Sequence, residues 1–278
     1  MAEVTAALVK ELRDALGISM MECKRALVET EGDIEAATRI LRERGMAVAA
    51  KKASRTANQG CIASATSGDG TVVSLVEVNC ETDFVARNED FVAFVQDLAA
   101  RACATESDLA EEARDELVKK VTELGENLVI RRQERFVKEG NGVLASYIHM
   151  GGKVGVLLEL SCEKAETEEA PACREVAHDL TLHVAACNPR FLTPDDVPPE
   201  EIAAEKEIYA KQVEDKPEPI IEKIVNGKIQ KYFSEVCLVR QGFVKEPKQS
   251  VEKLLAAVGT DVGDTLQIRR FVRYQIGE

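Results

Sequence analysis

The sequence has no long apolar segment. Its 278 residues contain no apolar run of about 18 residues, the length that a transmembrane helix requires. Residues 1–4 have neither a basic flank nor a long apolar stretch behind them, so they do not resemble a secretory signal peptide. We therefore expect a cytoplasmic protein that does not interact with a membrane.

Positive charge is also scarce. The chain has 36 lysine and arginine residues against 49 aspartate and glutamate residues, a formal net charge of −13. A general nucleic-acid binder needs a basic surface, so we expect no direct contact with nucleic acid. One strip is an exception, because six basic residues between Arg39 and Arg55 accompany the single acidic Glu43. This strip is either a contact for an acidic partner or RNA, or a solvated helix face followed by a linker.

Histidine is rare, and this limits the possible catalytic sites. Only His149, His178 and His183 are present, whereas nucleophilic catalysis needs a base beside the nucleophile and a group that orients the base. His183 and Cys187 are four residues apart on a predicted helix, but a structural zinc site needs about four ligands. The sequence offers no second pair with suitable spacing. We expect no metal site, no cofactor and no enzymatic activity.

The eight cysteines are scattered, without the spacing of a disulfide framework. This distribution is typical of reduced thiols. Cys80 lies beside Glu81 and Asp83, whose charges would raise the pKa of its thiol and make it a poor nucleophile. We expect Cys80 to be a small buried apolar residue. A thiol enzyme stays an alternative, which alkylation of Cys80 would test.

An internal repeat is the most informative pattern in the chain. When residues 60–81 are aligned without gaps with residues 142–163, nine of the 22 positions are identical. The identical pairs are Gly60/Gly142, Ala63/Ala145, Ser64/Ser146, Gly70/Gly152, Val72/Val154, Leu75/Leu157, Glu77/Glu159, Cys80/Cys162 and Glu81/Glu163. Each copy predicts two strands followed by a helix, the pattern of an antiparallel sheet covered by helices.

The two copies stop agreeing at residue 82. Thr82-Asp83-Phe84-Val85 in the first copy corresponds to Lys164-Ala165-Glu166-Thr167 in the second. A repeat that keeps its framework but changes one turn suggests that function lies at this turn. Phe84 has two interpretations: a core residue beside a helix N-cap at Asp83, or an exposed aromatic wedge with a flanking carboxylate.

Helical patterns flank and interrupt the repeat. Residues 4–45 contain three short amphipathic segments, with caps at Ser19 and Asp33. Two further helical patterns, joined by a short proline turn, predict an antiparallel helical hairpin. The predicted fold is α+β, with a duplicated core of antiparallel sheet and helices. We assign residues 1–55 to a three-helix docking domain and linker, 56–140 to the first core repeat, and 141–278 to the second repeat with the hairpin (about 194–240) and a C-terminal segment.

Four segments resemble the signatures of the bacterial elongation factor Ts family. They are Leu12-Arg13 with residues 17–27 (GISMMECKRAL) and 31–33, residues 77–88 (EVNCETDFVARN), residues 188–192 (NPRFL) and residues 268–274 (IRRFVRY). The resemblance extends over nearly the whole chain in a single order. It matches the long form of the family, which has a duplicated core and a helical hairpin.

This resemblance implies a guanine-nucleotide exchange factor that binds the translation GTPase elongation factor Tu in its GDP-bound and nucleotide-free states. It also implies that the N-terminal bundle is of the ubiquitin-associated type and docks on the partner's GTP-binding domain. The stretch implicated in dislodging the partner's magnesium ion is matched by Thr82, Asp83, Phe84 and Val85. Other positions expected at the same interface are matched by Leu12, Met20, Met21 and His149.

A protein of another class would share part of this pattern. A non-catalytic adaptor can also carry a ubiquitin-associated-like docking bundle, and residues 1–45 alone fit either function. The Asp83-Phe84 turn and the match at the C-terminal segment favour the exchange factor. Because residues 164–167 depart from the wedge pattern, the second copy is not expected to be another exchange site.

Overall fold

The N-terminal part is a three-helix bundle. The computed structural model describes residues 4–16 and 18–278. From the sequence, the first helix is expected to stop at Gly17, a position that lies outside the described residues. The helices are α1 (Ala6–Leu16), α2 (Met20–Glu29) and α3 (Ile34–Lys52). The side chains of Ser19 and Asp33 cap α2 and α3 by accepting hydrogen bonds from backbone N–H groups three residues later. Both caps are those that the sequence predicts.

Helix α3 is longer than the sequence predicts. The pattern places its end near Gly45, but the helix continues to Lys52. Gly45 lies at a close helix–helix contact, where a Cβ atom would be 3.2 Å from the Oγ1 atom of Thr122. A helical glycine destabilises a helix by about 1 kcal/mol, and here its small size lets α3 approach the first core repeat. The bundle therefore contacts the core through the second half of α3.

The first core repeat is a three-stranded antiparallel sheet covered by helices. Its elements are β1 (Gln59–Thr66), β2 (Val72–Cys80), α4 (Asp83–Ala86), α5 (Glu89–Ala104), α6 (Leu109–Glu112), α7 (Arg114–Leu124) and β3 (Val129–Val137). Strand β2 is central, and a bulge between Glu77 and Val78 interrupts its pairing with β3. The sheet and α5 bury one apolar cluster, which includes Phe91 and Leu98.

The second core repeat has the same order with a long insertion. Its elements are β4 (Gly142–His149), β5 (Val154–Cys162), α8 (Ala165–Glu168), α9 (Pro171–Cys187), α10 (Pro199–Lys211), α11 (Glu218–Val236), β6 (Gly242–Phe243), β7 (Glu246–Ser250), α12 (Val251–Val262) and β8 (Leu266–Gln275). Strand β5 is central between β4 and β8, and a bulge follows Glu159. The α+β class and the antiparallel sheets are confirmed.

The repeat is more extensive than the first alignment shows. Beyond the insertion, residues 122–136 match residues 260–274 at an offset of 138, with seven identities in 15 positions. The identical pairs are Thr122/Thr260, Gly125/Gly263, Leu128/Leu266, Ile130/Ile268, Arg131/Arg269, Arg132/Arg270 and Arg135/Arg273. This match makes α7 the counterpart of α12, and β3 the counterpart of β8. Since β3 carries several charged residues, the sequence alone did not assign it as a strand.

The two sheets meet face to face in a nearly symmetric core. Ile62, Leu75 and Leu157 are buried between them with aromatic rings from both third strands. Close approach depends on Gly155, where a Cβ atom would lie 2.5 Å from the Cγ2 atom of Ile62. The N–H of Ile62 also donates a 2.8 Å hydrogen bond to the carbonyl of Gly152. The two repeats are therefore packed together by a shared apolar interface.

The insertion forms the predicted helical hairpin and an additional ribbon. Helices α10 and α11 pack along each other, and the carboxylate of Glu201 ties their base together. Arg190 donates to Glu201 at 2.6 Å, and the hydroxyl of Tyr232 donates to the same carboxylate. The short ribbon of β6 and β7 follows α11 and was not predicted.

None of the helices in residues 4–16 and 18–278 combines the length and apolar character needed to cross a membrane.

Candidate functional site

The candidate site is the turn that connects β2 to α5. Thr82 has an extended backbone and caps the one-turn helix α4, because its Oγ1 atom accepts a 3.4 Å hydrogen bond from the N–H of Val85. Asn88 caps α5 in the same way through the N–H of Phe91, at 3.1 Å. Two successive caps within seven residues force the chain to reverse tightly after the buried strand. The N-cap is therefore Thr82, and the interpretation of the sequence that made Asp83 the N-cap is wrong.

Phe84 projects from this turn. Its side chain is 83% exposed, although burial of a phenylalanine side chain is worth about 1.5–3 kcal/mol. The interpretation of Phe84 as a core residue is therefore wrong. The neighbouring Ala86 is buried and Val85 is half-buried against the core of the first repeat. These two side chains hold the turn to the sheet while Phe84 lies outside.

A charged pair lies beside the exposed ring. Asp83 and Arg87 are one helical turn apart, with 3.2 Å between the Oδ2 and Nη2 atoms. Both side chains are exposed, so solvent screens the pair and its contribution to stability is about 1 kcal/mol or less. The carboxylate of Asp83 can therefore exchange this partner for another cation at little energetic cost.

The carboxylate of Glu126, which is distant in the sequence, holds the turn through hydrogen bonds. The Oε2 atom of Glu126 accepts hydrogen bonds from the N–H groups of Glu81 and Thr82, both at 3.0 Å. Its Oε1 atom accepts from the hydroxyl of Thr82 at 2.5 Å. Hydrogen bonds to an ionised acceptor are stronger than neutral ones. Two of the three fix the backbone just before Phe84, and the third fixes the side chain of Thr82.

The second repeat has a similar cradle without the aromatic tip. Asp264 is the counterpart of Glu126 at the offset of 138, and its carboxylate accepts hydrogen bonds from the N–H groups of Glu163 and Lys164, at 3.3 and 3.0 Å. The hydroxyl of Thr167, followed by these backbone groups, lowers the pKa of Asp264 to about 2. At the position of Phe84 this repeat has the exposed Glu166. The framework is duplicated, but the exposed aromatic side chain is not.

Cys80 lies at the base of the turn and is fully buried. Burial, with a smaller contribution from the charge of Glu126, raises the pKa of its thiol to about 12. The thiol donates to the carbonyl of Thr82 at 3.2 Å. A thiol with this pKa is a weak nucleophile at neutral pH because little thiolate is present. The structure therefore gives the thiol-enzyme alternative no support at Cys80.

The bundle residues implied by the resemblance fall into two groups. Met20 and Met21 begin α2 and are 52% and 62% exposed, and Val28 is also exposed on the same helix. Leu12 is only 1% exposed and packs in the apolar core of the bundle. Its side chain is therefore not available for direct contact in this conformation, and a role of Leu12 in partner binding stays a prediction. Leu12 instead supports the exposed surface from inside.

His149 lies at the end of β4 and is exposed. Its Nδ1 atom is 2.8 Å from the hydroxyl of Tyr147, and the two ring centroids are 5.6 Å apart. The ring of His178 on α9 meets Tyr147 edge-on at 6.1 Å. The exposed candidate residues thus lie on α4, α2 and β4, in three separate parts of the chain.

Glu126 was missed by the sequence analysis. It follows α7, 44 residues after Thr82, and no local pattern connects the two positions. The signal that could have revealed it is the second part of the repeat, in which Gly125-Glu126 corresponds to Gly263-Asp264. An acidic residue kept after the same left-handed glycine in both copies indicates a shared structural task.

Comparisons with known proteins identify the family of this chain. The sequence model of the family described as "Elongation factor TS" matches residues 81–278. Proteins named elongation factor Ts from Clostridium botulinum (strain Eklund 17B / Type B) and Clostridium kluyveri (strain NBRC 12016) are 44% and 46% identical to this chain. Each alignment covers 99% of this chain and 93% of the relative. The protein of that name from Clostridioides difficile (strain 630) is 44% identical over all of this chain and 94% of its own length. The chain belongs to the elongation factor Ts family.

Proposed function

We propose that this protein is a guanine-nucleotide exchange factor that binds elongation factor Tu during translation elongation in the cytoplasm. It binds the GDP-bound partner, displaces Mg²⁺ and GDP, and stabilises the nucleotide-free state. The observation that carries this proposal is the exposed Phe84 on a turn fixed by three hydrogen bonds to Glu126. Membership in the elongation factor Ts family gives the partner class.

Exchange requires the factor and GDP to weaken each other's binding. This coupling is reciprocal, since a factor that prefers the nucleotide-free partner must lower the affinity for GDP by the same factor. A shift from 1:99 to 99:1 needs about 5.5 kcal/mol of differential binding. A single aromatic anchor contributes about 2 kcal/mol or somewhat more. Phe84 alone is therefore insufficient, and a wide interface must supply the rest.

The separate contacts fit such an interface. Met20 and Met21 present flexible apolar side chains on α2, suited to docking on an apolar surface of the partner. His149 offers a polar contact on the second repeat. Phe84 then inserts as a wedge, and the adjacent Asp83 carboxylate adds negative charge near the magnesium site. Thr82 and Val85 hold these two side chains in place. The protein catalyses no covalent reaction in this scheme.

The adaptor alternative is not favoured. An adaptor needs a docking surface, but it has no need for an exposed aromatic side chain on a rigid turn. The second repeat, with Glu166 in place of Phe84, illustrates how the same framework looks without a wedge. We therefore assign exchange to the first repeat alone.

The decisive experiment measures release of a fluorescent GDP from purified elongation factor Tu. We expect rapid release with the wild-type protein, and release at least about tenfold slower with Phe84→Ala. The matched control is Glu166→Ala, which truncates the corresponding side chain of the second repeat and should leave the rate unchanged. No acceleration by the wild-type protein, with binding intact, would refute the exchange function. Normal release by Phe84→Ala would refute the wedge.

A further inference from the structure

The carboxylate of Glu126 connects the wedge turn to the rest of the molecule. It accepts hydrogen bonds from the backbone N–H groups of Glu81 and Thr82 and from the hydroxyl of Thr82. Phe84 is only two residues further along the chain. We propose that Glu126 is a positioning residue for exchange, which sets the orientation of Phe84 without contacting the partner's nucleotide. This role rests on the proposed function.

The residues on either side of Glu126 bind the end of the docking helix. The ammonium group of Lys52, the last residue of α3, donates to the carbonyl of Gly125. The side-chain amide of Asn127 donates to the carbonyl of Arg55 at 2.8 Å. The loop of residues 125–127 therefore contacts both the end of the N-terminal domain and the wedge turn.

Two hydrogen bonds to the side chain of Glu81 reinforce this connection. The N–H of Asn127 donates to the Oε1 atom of Glu81 at 2.7 Å, and the guanidinium of Arg55 donates to the same oxygen at 3.4 Å. Glu81, which directly precedes the wedge turn, thus connects Arg55 of the linker after α3 to Asn127 of this loop. Movement of α3 on docking would be transmitted to the turn through this loop, with Glu126 as the final contact.

The second repeat shows which part of this arrangement is structural. Asp264 accepts from two backbone N–H groups as Glu126 does, but the carbonyl of Gly263 accepts from Lys164 of the same repeat. There, the lysine of the turn itself takes the place that Lys52 of α3 has in the first repeat. Asp264 therefore stabilises a turn with no aromatic tip and no docking helix. Its substitution is the matched control for Glu126.

The test is a double-mutant cycle with Glu126→Gln and Phe84→Ala in the full-length chain. Glutamine keeps the size of the side chain, but it removes the negative charge, and its NH₂ group cannot accept from a backbone N–H. We expect Glu126→Gln to lower the maximal rate of fluorescent GDP release about tenfold. The factor concentration at half-maximal rate should change by less than about twofold, since the docking surfaces are intact.

Two further measurements separate positioning from simple stabilisation. Affinity for nucleotide-free elongation factor Tu is also measured for all four proteins of the cycle. This affinity still reports the coupling between the two residues if GDP release with Phe84→Ala has fallen to the spontaneous rate. Glu126→Gln should have no additional effect in the Phe84→Ala background if it acts through Phe84. Hydrogen exchange of the peptide containing residues 81–84 should become faster in Glu126→Gln.

The outcomes are distinct. Wild-type release rates in Glu126→Gln would overturn the proposal, as would an equal loss in the presence and absence of Phe84. An equal loss with Asp264→Asn would also overturn it, because the effect would then be general destabilisation. If the wild-type protein fails to accelerate release, the exchange function itself falls, and this inference falls with it.

Discussion

The guanidinium carbon of Arg132, on β3, lies 4.1 Å from the centroid of the Tyr274 ring, on β8. The counterpart of Arg132 is Arg270, which lies 4.2 Å from the ring of Phe136, the counterpart of Tyr274. Each arginine also reaches across to a backbone carbonyl of the other third strand. The two repeats are thus joined by a reciprocal pair of cation–π contacts.

Each of these arginines also neutralises a buried glutamate. Arg132 donates to Glu77 at 2.6 Å, and Arg270 donates to Glu159 at 2.7 Å. Both glutamate side chains are almost completely buried. Removing one partner of a buried ion pair is costly because the remaining charge has no compensation. These pairs therefore anchor the third strand of each sheet beside its bulge.

We expect Arg132→Met to lower the free energy of unfolding by about 3–5 kcal/mol. This loss corresponds to a decrease in Tm of about 6 °C or more for a chain of this size. The matched control is Arg131→Met, because Arg131 is adjacent, exposed and 3.9 Å from Glu77. Its substitution should cost about 1 kcal/mol or less. Calorimetric scans of both variants check this, and equal decreases would show that the buried pair contributes nothing special.

Local signals predicted the elements that depend on neighbouring residues. The caps at Ser19 and Asp33 involve atoms three residues away, so the sequence contains the whole interaction. The two strands of each hairpin show the required apolar pattern, and their pairing is confirmed. The turn at Phe84 was located because the repeat itself diverges there.

Interactions between distant residues were not predictable in the same way. The extension of α3 past Gly45 depends on packing against Thr122, which the local helix signals do not report. Strand β3 has charged residues because Arg132 pairs with a buried glutamate and stacks on Tyr274. The alternation of apolar and polar residues by which a strand is recognised in a sequence is therefore masked. The part of the site contributed by Glu126 was missed for the same reason, whereas the exposed Phe84 was one of two open interpretations.

Stability should depend on pH through His183. This buried ring accepts a 3.1 Å hydrogen bond at Nδ1 from the N–H of Val244, so Nε2 carries the hydrogen and donates to Gln241 at 2.9 Å. Burial lowers the pKa of His183 below its usual 6.5, and the hydrogen bond to Gln241 opposes this only in part. When the pH falls below about 6.5, the imidazole of His183 therefore binds a proton in the unfolded chain before it does so in the folded chain.

The sign follows from this difference in proton binding. As the pH falls below about 6.5, the free energy of unfolding should decrease, by up to about 1.4 kcal/mol per pH unit for one proton. Urea unfolding at pH 7.5 and 5.5 should show a larger loss for the wild type than for His183→Gln. The exposed His178 on the same helix provides the control, because His178→Gln should lose as much as the wild type. Equal losses in all three proteins would exclude His183 as the cause.

Truncating the exposed methionines of the bundle should weaken partner binding, whereas truncating its buried leucine should lower stability. Truncating Met20 and Met21 together to alanine should weaken binding to elongation factor Tu about tenfold or more, since about 1.5–3 kcal/mol is gained when such a side chain is buried. The Tm should hardly change, because both side chains are exposed. Leu12→Ala should instead destabilise the bundle by about 2–5 kcal/mol by leaving a cavity in its core.

Calorimetric titration and hydrogen exchange of α1–α3 separate these effects. Met46→Ala is the control for exposure, because Met46 is an equally exposed methionine on α3. It should leave the affinity unchanged if docking uses the start of α2. Unchanged affinity in the Met20/Met21 double variant would contradict the docking surface. A loss of protection throughout the bundle in that variant would mean that the two methionines are structural, so their effect on binding would have to be attributed to unfolding.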